Sequence, residues 1–292
     1  MSYDRNDVLM MARIKNEENW IGRNLERTWK VCGKVLIWDD GSTDGTEATC
    51  LRSVGGEDGD VLDTGWGFTA YHPEFKRMLY YFRSPFKGSA RPKERVSEIR
   101  DKNLAWYFAK SEIGFKHVLL LDGDEMLSLE AVRRFPGAVE ALEQPDGPHM
   151  LQLPFIYYWD DEQHQRVDGI YGDAADGFKR LRFPRLFTIC RGLDEQQLFD
   201  MHFAWRGSRG GFHCGSVPQQ EFLPNGQKPM TAFADLPVIH FGYLEEARRQ
   251  AKFEFYNRID PDNEFEGGYK HIVGLPNIHA PGPVVREVWE DK

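Results

Sequence analysis

Short apolar segments alternate with amphipathic segments through the first half of the chain. Four apolar runs are predicted to be strands, at 7–15, 34–40, 59–66 and 117–122. Residues 19–31 carry apolar side chains at helical spacing, and further helices are predicted from Gly45 and over 95–113. Residues 67–95 look irregular. Strands separated by helices of this length predict βαβ units and a mainly parallel sheet.

The second half has a less regular pattern. Strands are predicted at 149–159, at 236–244 and over 178–190, the last interrupted by Pro184, and a helix is predicted from 244 to 259. Residues 206–230 are rich in Gly and Pro and are expected to form loops. We find no composition shift that would mark a linker, so the pattern favours one domain with an extended C-terminal arm after Pro261.

Composition is that of an ordinary globular protein: 292 residues, 41% hydrophobic and 28% charged. The net charge of −9 argues weakly against a partner that is polyanionic over its whole surface. The chain lacks an 18-residue apolar stretch and a signal-peptide layout, so no membrane span is predicted. The four cysteines lie far apart, which favours reduced thiols in a cytoplasmic protein.

Two groups of acids follow predicted strands, at Asp39–Asp40 and at Asp122, Asp124 and Glu125. In parallel sheets, ligands bind at the carboxyl ends of the strands. Carboxylates this close repel one another and resist burial, so they either face water or bind something positive. Gly123 permits a turn that would bring two carboxylates together as a hard-oxygen site for Mn²⁺ or Mg²⁺. A solvated turn is the alternative.

Four strings occur in an order that is typical of one enzyme family: "ARIKNEE", "VLIWDDGSTDGT", "RDKNLAW" and "VLLLDGDE". In these motifs the chain resembles glycosyltransferase family 2 over roughly 7–130. The resemblance implies a GT-A fold, an α/β protein with a mainly parallel Rossmann-like sheet flanked by helices and a less regular C-terminal acceptor-side portion. It divides the chain into a nucleotide-sugar-binding half at 1–130, an acceptor-side half of the same domain at 131–260, and an arm at 261–292.

The resemblance also implies roles for single residues. The nucleotide pocket would be lined by Ala12, Arg13, Asn16 and Glu17, and the base and ribose would be contacted by Asp40 with Asp39 beside it. Arg100 and Asn103 match the family's Arg-x-x-Asn pair on the helix before the metal strand, where Arg100 could reach a phosphate or the second group of acids. Asp122 would contact ribose or metal, and Asp124 would hold the metal on the pyrophosphate.

The C-terminal half carries weaker signals. "PRLF", "GGFHCG" and "VIHFGY" follow the order of a bacterial subgroup that resembles lipopolysaccharide-core transferases. His240 would then complete the metal shell, unless it is only packed at a strand end. His213 is the candidate for the general base or the acceptor side, but the subgroup has Glu where this chain has Cys214. Asp194–Glu195 and Asp160–Asp161 are therefore alternative bases.

A basic segment at 76–100 holds eight basic residues against two acidic ones, interleaved with aromatic residues. A second basic group lies at 178–185. Such a pattern suits an anionic acceptor, namely a phosphorylated glycan, a lipid-linked intermediate or DNA. The alternative is a solvated loop whose arginines pair with acids elsewhere.

The resemblance implies metal-dependent, inverting transfer of a sugar from a nucleotide-sugar, with UDP favoured by family habit, to an acceptor hydroxyl. A nucleotidyltransferase is disfavoured because "ARIKNEENW" lacks the glycine-rich phosphate loop that such enzymes carry after the first strand. A catalytically inactive binding protein for carbohydrate or nucleic acid is the other alternative, although it would not need the donor-side motifs.

Overall fold

The computed structural model describes residues 3–55, 59–85, 98–168, 171, 182–189, 195–204, 217–218, 229–259, 269–274 and 285–287. The chain divides into two compact units. The first comprises Met1–Leu153 and Pro184–Leu236, and the second comprises Pro154–Phe183 together with Pro237–Lys292. The predicted boundaries at 130 and 260 stay predictions.

The described residues form these helices and strands, numbered in chain order. Up to residue 143 they are β1 Val8–Ile14, α1 Glu18–Val31, β2 Lys34–Asp39, α2 Thr46–Gly55, β3 Asp60–Asp63, β4 Gly67–His72, β5 Arg77–Arg83, α3 Glu98–Glu112, β6 His117–Leu120, β7 Glu125–Leu127 and α4 Leu129–Glu143. Beyond it they are β8 Met150–Trp159, β9 Asp161–Arg166, β10 Arg182–Thr188, α5 Glu195–Asp200, β11 Thr231–Phe233, β12 Val238–His240, α6 Glu246–Ile259 and β13 Val285–Glu287.

The first unit is built on a sheet with the strand order β10-β6-β1-β2-β5-β4-β3. Its four central strands, β6, β1, β2 and β5, are parallel, and the outer strands run antiparallel to their neighbours. Strands β1, β2 and β6 are continuous apolar runs because they are buried on both faces. The predicted fold class, a mainly parallel sheet flanked by helices, is confirmed.

Helix α3 covers one face of this sheet. Its buried residues Ala105, Trp106 and Ala109 pack in one apolar cluster with side chains of β1, β2 and β6. The indole of Trp106 donates a hydrogen bond from Nε1 to the carbonyl of Met201 at 2.8 Å, so the segment after α5 is tied to the same helix. This packing fixes α3 beside the carboxyl ends of β1 and β6.

The expectation that residues 67–95 are irregular was wrong for their described part. Strands β4 and β5 form an antiparallel pair there, and β5 also pairs in parallel with β2. The alternation of buried Leu79 and Tyr81 with more exposed neighbours is the period of a strand. The many charged and aromatic residues nearby had obscured it. Helix α4 was missed as well, although Ser128 caps it by accepting a hydrogen bond from the Ala131 amide at 3.0 Å.

The second unit contains the end of β8, with β9, β12, β13 and α6. Strand β12 pairs in parallel with β8, while β9 pairs antiparallel with β8 and with β13. A buried aromatic group lies here, and its members are Tyr157, Trp159, Tyr171, Tyr243 and His240. The guanidinium carbons of Arg166 and Arg249 lie 4.9 and 4.2 Å from the Trp159 ring centre.

In the part of the chain that the structure describes, no helix combines the length and apolar character that crossing a membrane requires. Cys32 and Cys50 are buried free thiols, as predicted, and burial raises the pKa of each thiol. Cys190 and Cys214 lie outside the described residues.

Candidate functional site

The two groups of acids do lie at one edge of the sheet in the first unit. Asp39 ends β2, and Asp122 comes two residues after the end of β6. Strand β1 lies between β2 and β6, in parallel with both. The carboxyl ends of all three strands therefore meet at the same edge, which is the usual ligand position in such sheets.

The Asp39 carboxylate is used inside the protein. It is buried, and it accepts hydrogen bonds from the amide and hydroxyl of Ser42 at 2.8 and 2.7 Å and from the hydroxyl of Tyr81 at 2.7 Å. Burial and this carboxylate together raise the pKa of the Tyr81 phenol. These bonds close the turn after β2 and fasten it to β5. The predicted contact of Asp39 with a base or ribose gains no support from this arrangement.

The rest of "DDGSTDGT" is bonded to "KNEE". Asn16, in the left-handed region at φ 53°, donates from its amide to the Ser42 hydroxyl at 2.9 Å and accepts from the Thr43 amide at 2.8 Å. The Glu17 amide donates to the Thr46 hydroxyl at 2.8 Å. These contacts lock the β1–α1 loop onto the β2–α2 loop. Asn16 and Glu17, expected in the nucleotide pocket, thus hold two loops together.

Arg13 forms an ion-pair bridge from β1 to two acids. Its Nη2 donates to Asp40 Oδ2 at 2.8 Å, and its Nε donates to Asp101 Oδ2 at 3.0 Å. Asp101 is fully buried in α3 and also accepts two hydrogen bonds from Arg100, at 2.9 and 3.0 Å. Burial opposes the charge on Arg13, but the attraction of Asp40 and Asp101 outweighs it and the pKa of Arg13 is raised.

The Arg-x-x-Asn pair does not act as a unit. Arg100 reaches its neighbour Asp101 rather than the second group of acids. Asn103 donates to the carbonyl of Phe203 at 3.0 Å and accepts from its amide at 2.6 Å. Both polar atoms of the Asn103 side chain therefore clamp the backbone after α5. This leaves the predicted nucleotide contact of Asn103 without support.

The turn after β6 is held by an arginine from β10. Arg185 Nη2 donates to Glu125 Oε1 at 2.5 Å and to Asp122 Oδ2 at 3.4 Å. Glu125 Oε2 in turn accepts from the Asp122 amide at 2.9 Å. Burial raises the pKa of Glu125, and the attraction of Arg185 opposes that rise. The positive charge that these acids require is thus supplied in part by the chain itself.

Gly123 is needed at this turn because there is no room for a side chain. A Cβ atom there would lie 2.5 Å from Cγ and 3.0 Å from Cβ of Glu17, and 3.0 Å from Cγ2 of Ile14. The turn therefore packs directly against the β1–α1 loop. Asp124 is 6% exposed, whereas the side chain of Asp122 is 42% exposed.

A small, partly open pocket lies beside Asp122. It is lined by Met11, Ala12, Arg13, Trp38, Lys102, Ala105, Leu120, Leu121, Asp122 and Arg185. Three of these residues are basic and one is acidic. Ala12, Arg13 and Asp122 were predicted at the nucleotide site, and the structure brings them together here. Each of the three basic side chains is also paired with an acid of the chain: Arg13 with Asp40 and Asp101, Lys102 with Glu98, and Arg185 with Glu125.

The acids fit a metal ion only if a ligand completes its shell. Among the described residues, no group of three or more His, Cys, Asp or Glu side chains could hold an ion. Mg²⁺, however, is commonly bound by one or two carboxylates together with waters and substrate phosphates. Asp122 offers a hard oxygen on the pocket wall, and such a shared shell fits this donor chemistry.

His240 ends β12 in the second unit and is 9% exposed. Its Nδ1 accepts a hydrogen bond from the Gly242 amide at 3.1 Å. A neutral ring with an accepting Nδ1 carries its proton on Nε2, which then donates rather than ligates. The predicted metal role of His240 stays a prediction, and this bond argues for a hydrogen-bond donor.

The candidate bases are placed in part. His213 and Asp194 lie outside the described residues, and Glu195 is described only as the first backbone position of α5. In the second unit, Asp160 accepts from Arg249 Nη2 at 2.6 Å. Asp161 caps its own turn, and the bond to His164 lowers its pKa, which makes Asp161 a weaker base.

The basic segment is described at 76–85 and 98–100 only. Arg83 makes two hydrogen bonds to the carboxylate of Glu47, at 2.5 and 2.6 Å. Arg77 donates to the carbonyl of Ser53 at 3.1 Å and lies over the Phe75 ring at 5.0 Å. Arg83 therefore follows the alternative of pairing with an acid, whereas Arg77 bonds to the backbone.

Sequence reasoning missed three residues of the site: Asp101, Lys102 and Arg185. Asp101 and Lys102 lie inside the quoted "RDKN", where an acid between two basic residues was the signal that the sequence offered. Arg185 lies in the quoted "PRLF", but its partners are 60 and 63 positions away. Only the pairing of β10 with β6 brings them together.

Comparison with known proteins gives structural matches alone. No family model matches the chain, and no curated protein matches it. S. aureus TarS 1-349 in complex with UDP-GlcNAc is similar with a TM-score of 0.42 and 12% identity, over 92% of this chain and 70% of that chain. Glucosyl-3-phosphoglycerate synthase from Mycobacterium tuberculosis, in complex with Mn²⁺ and UDP-glucose, gives 0.28 and 16%, over 51% and 43%. Likeness at this level carries no argument about the family or the function of this chain.

Proposed function

We propose that the chain is a glycosyltransferase of family 2 that moves a sugar from a nucleotide-sugar, UDP-linked, to an acceptor hydroxyl. One observation carries the proposal: Asp122 of the "DGDE" motif shares a pocket at the strand ends with Arg13, Lys102 and Arg185. A nucleoside diphosphate needs positive charge along its phosphates, and a carboxylate beside that charge can share a divalent ion with them.

The reaction requires the anomeric carbon to lose a nucleoside diphosphate. About two units of negative charge develop on the leaving group, and a divalent ion held by the acidic turn would supply positive charge to offset them. Asp122 and Asp124 would hold Mn²⁺ or Mg²⁺. Arg13 and Lys102 line the same pocket and attract the phosphates through space.

The acceptor hydroxyl attacks from the side opposite the leaving group, which inverts the anomeric centre. A base within hydrogen-bond reach must take its proton. His213 is the proposed base, with Asp194 or Glu195 as alternatives. The acceptor is proposed to be a glycan, a lipid-linked intermediate or DNA, on the evidence of the basic segment in the sequence.

The test is release of nucleoside diphosphate from a nucleotide-sugar. Purified protein with Mn²⁺ should slowly hydrolyse a UDP-sugar, and the Asp124→Ala variant should lose this activity. Asp146→Ala, at an exposed loop position outside the pocket, is the matched control and should keep it. An inactive binding protein would bind UDP without releasing it from the sugar, and a nucleotidyltransferase would instead form a nucleotide-sugar from a nucleoside triphosphate and a sugar phosphate.

A further inference from the structure

We infer that Arg185 is a second cation for the donor diphosphate, acting beside the metal that the "DGDE" turn would hold. This inference rests on the proposed function and assigns a phosphate-binding role to a residue of β10. Three observations support it: the position of Arg185 on the pocket wall, the way Glu125 anchors it, and its loose contact with Asp122.

Strand pairing brings Arg185 to the pocket. Leu186, the next residue along β10, pairs antiparallel with Leu119 of β6. Arg185 is therefore carried on the strand next to the one that ends in the acidic turn. Its side chain is 8% exposed and lines the pocket together with Asp122. A guanidinium at this place is held by a rigid sheet rather than by a loop, so little ordering is needed when a ligand arrives.

Glu125 anchors the guanidinium. The 2.5 Å contact between Arg185 Nη2 and Glu125 Oε1 joins two side chains that are 8% and 3% exposed. The same carboxylate accepts the Asp122 amide, so one buried acid fixes both the arginine and the turn. Removing either partner of such a pair leaves a buried charge uncompensated, which explains why the two are found together.

The contact with Asp122 is different in kind. At 3.4 Å it is long for a hydrogen bond, and the Asp122 side chain is 42% exposed. An incoming metal ion can therefore take Asp122 without disturbing the Glu125–Arg185 pair. Arg185 then remains beside the turn as a fixed positive charge facing the phosphates. Planar guanidinium groups match phosphate oxygens in geometry as well as in charge.

The experiment compares UDP with uridine by calorimetry, in Mn²⁺ and in chelator. Because only UDP carries phosphates, the ratio of the two affinities reports phosphate contacts and not folding. We expect Arg185→Gln to weaken UDP binding about tenfold or more, in both metal and chelator, with uridine binding unchanged. Arg185→Lys should restore part of the loss, since it keeps the charge but not the planar fork. Arg182→Gln, an exposed arginine on the same strand, is the matched control and should bind both as wild type does.

A double variant without either charge keeps the test possible if the single variant does not fold. If Arg185→Gln does not fold because Glu125 is left uncompensated, the double variant Glu125→Gln with Arg185→Gln removes both charges and serves in its place. Equal weakening of UDP and uridine, or unchanged UDP affinity, would overturn the role of Arg185 while leaving the proposed function standing. If wild-type protein binds UDP, GDP and dTDP no better than the matching nucleosides, the proposed function and this inference both fail.

Discussion

Two acidic segments at the same edge of the sheet are held in opposite ways. In the loop after β2, Asp39 is surrounded by donors from Ser42 and Tyr81, and its neighbours are bonded to the β1–α1 loop. In the turn after β6, the carboxylate of Asp122 has one long contact, to Arg185, and the side chain is 42% exposed on the pocket wall. The first segment is a structural clamp, and the second has a carboxylate available to a ligand. Similar acids at similar strand ends therefore need not share a role.

The largest effect is expected from removing the charge at the open turn. Asp122→Asn should lower release of nucleoside diphosphate about 100-fold or more, because the carboxylate would no longer help neutralise the leaving group. Its free energy of unfolding should stay within about 0.5 kcal/mol of wild type, since the side chain is half exposed. Donor hydrolysis and urea unfolding measure the two quantities. A variant that unfolds easily but keeps its specific activity would show that Asp122 stabilises the fold and does not act on the donor.

The opposite pattern is expected at the clamp. Asp39→Ala should cost about 3 kcal/mol of unfolding free energy, because it leaves the buried Tyr81 hydroxyl without its hydrogen-bond acceptor and opens the turn. Tyr81→Phe is the matched variant that removes one donor and keeps the ring, and it should cost about 1 kcal/mol. Urea unfolding provides both values. Should Asp39→Ala keep wild-type stability and lose only donor hydrolysis, Asp39 would be a ligand residue after all.

A smaller effect is expected at Gly123, where the turn after β6 packs against the end of β1 and the loop that follows it. Gly123→Ala places a Cβ against Glu17 and Ile14, so the turn must shift and about 1–2 kcal/mol of unfolding free energy should be lost. Donor hydrolysis should fall as well, because Asp122 and Asp124 flank this residue. Gly114→Ala is the control, since a Cβ there meets nothing within 4 Å. Equal behaviour of the two variants would show that the close packing under the turn does not matter.

The smallest effect concerns the other end of β6. Burial lowers the pKa of His117, although its partner Glu143 at 3.2 Å and Asp7 oppose this and Lys116 adds to it. The unfolded chain then binds a proton near the ordinary value of 6.5 that the folded chain resists, so stability should fall as pH drops below about 6.5. Urea midpoints at pH 7.5 and 5.5 test this. The difference between them should shrink in His117→Asn, and an unchanged difference would count against it.

The sequence predicts those parts of the fold that depend on neighbouring residues better than those that depend on residues far apart in the chain. Strands β1, β2 and β6 were found because each is a continuous apolar run, which needs no knowledge of its neighbours. Strand β5 was missed because its buried positions, Leu79 and Tyr81, alternate with partly exposed ones, and pairing with β2 makes them part of the core.

The same rule applies to the site. The acids after β2 and β6 could be placed at one edge from strand order alone. That Asp39 is saturated and Asp122 is not depends on Tyr81 and Arg185, which reach them from other strands, 42 and 63 residues away. Motif resemblance could not separate the clamp from the open turn either, because it treats both as donor-site signals. The local sequence pattern predicts where these acids lie in the fold. Contacts with distant residues determine whether each carboxylate is available to a ligand.

The most direct test is a screen of nucleotide-sugars for hydrolysis with Mn²⁺ present, run in parallel on wild-type protein and Asp122→Asn. The account predicts that at least one donor, most readily a UDP-sugar, releases its nucleoside diphosphate with wild-type protein, and that chelator or Asp122→Asn suppresses the release. Release that is equally fast with the variant, or absence of release from every donor by a folded wild-type protein, would contradict it.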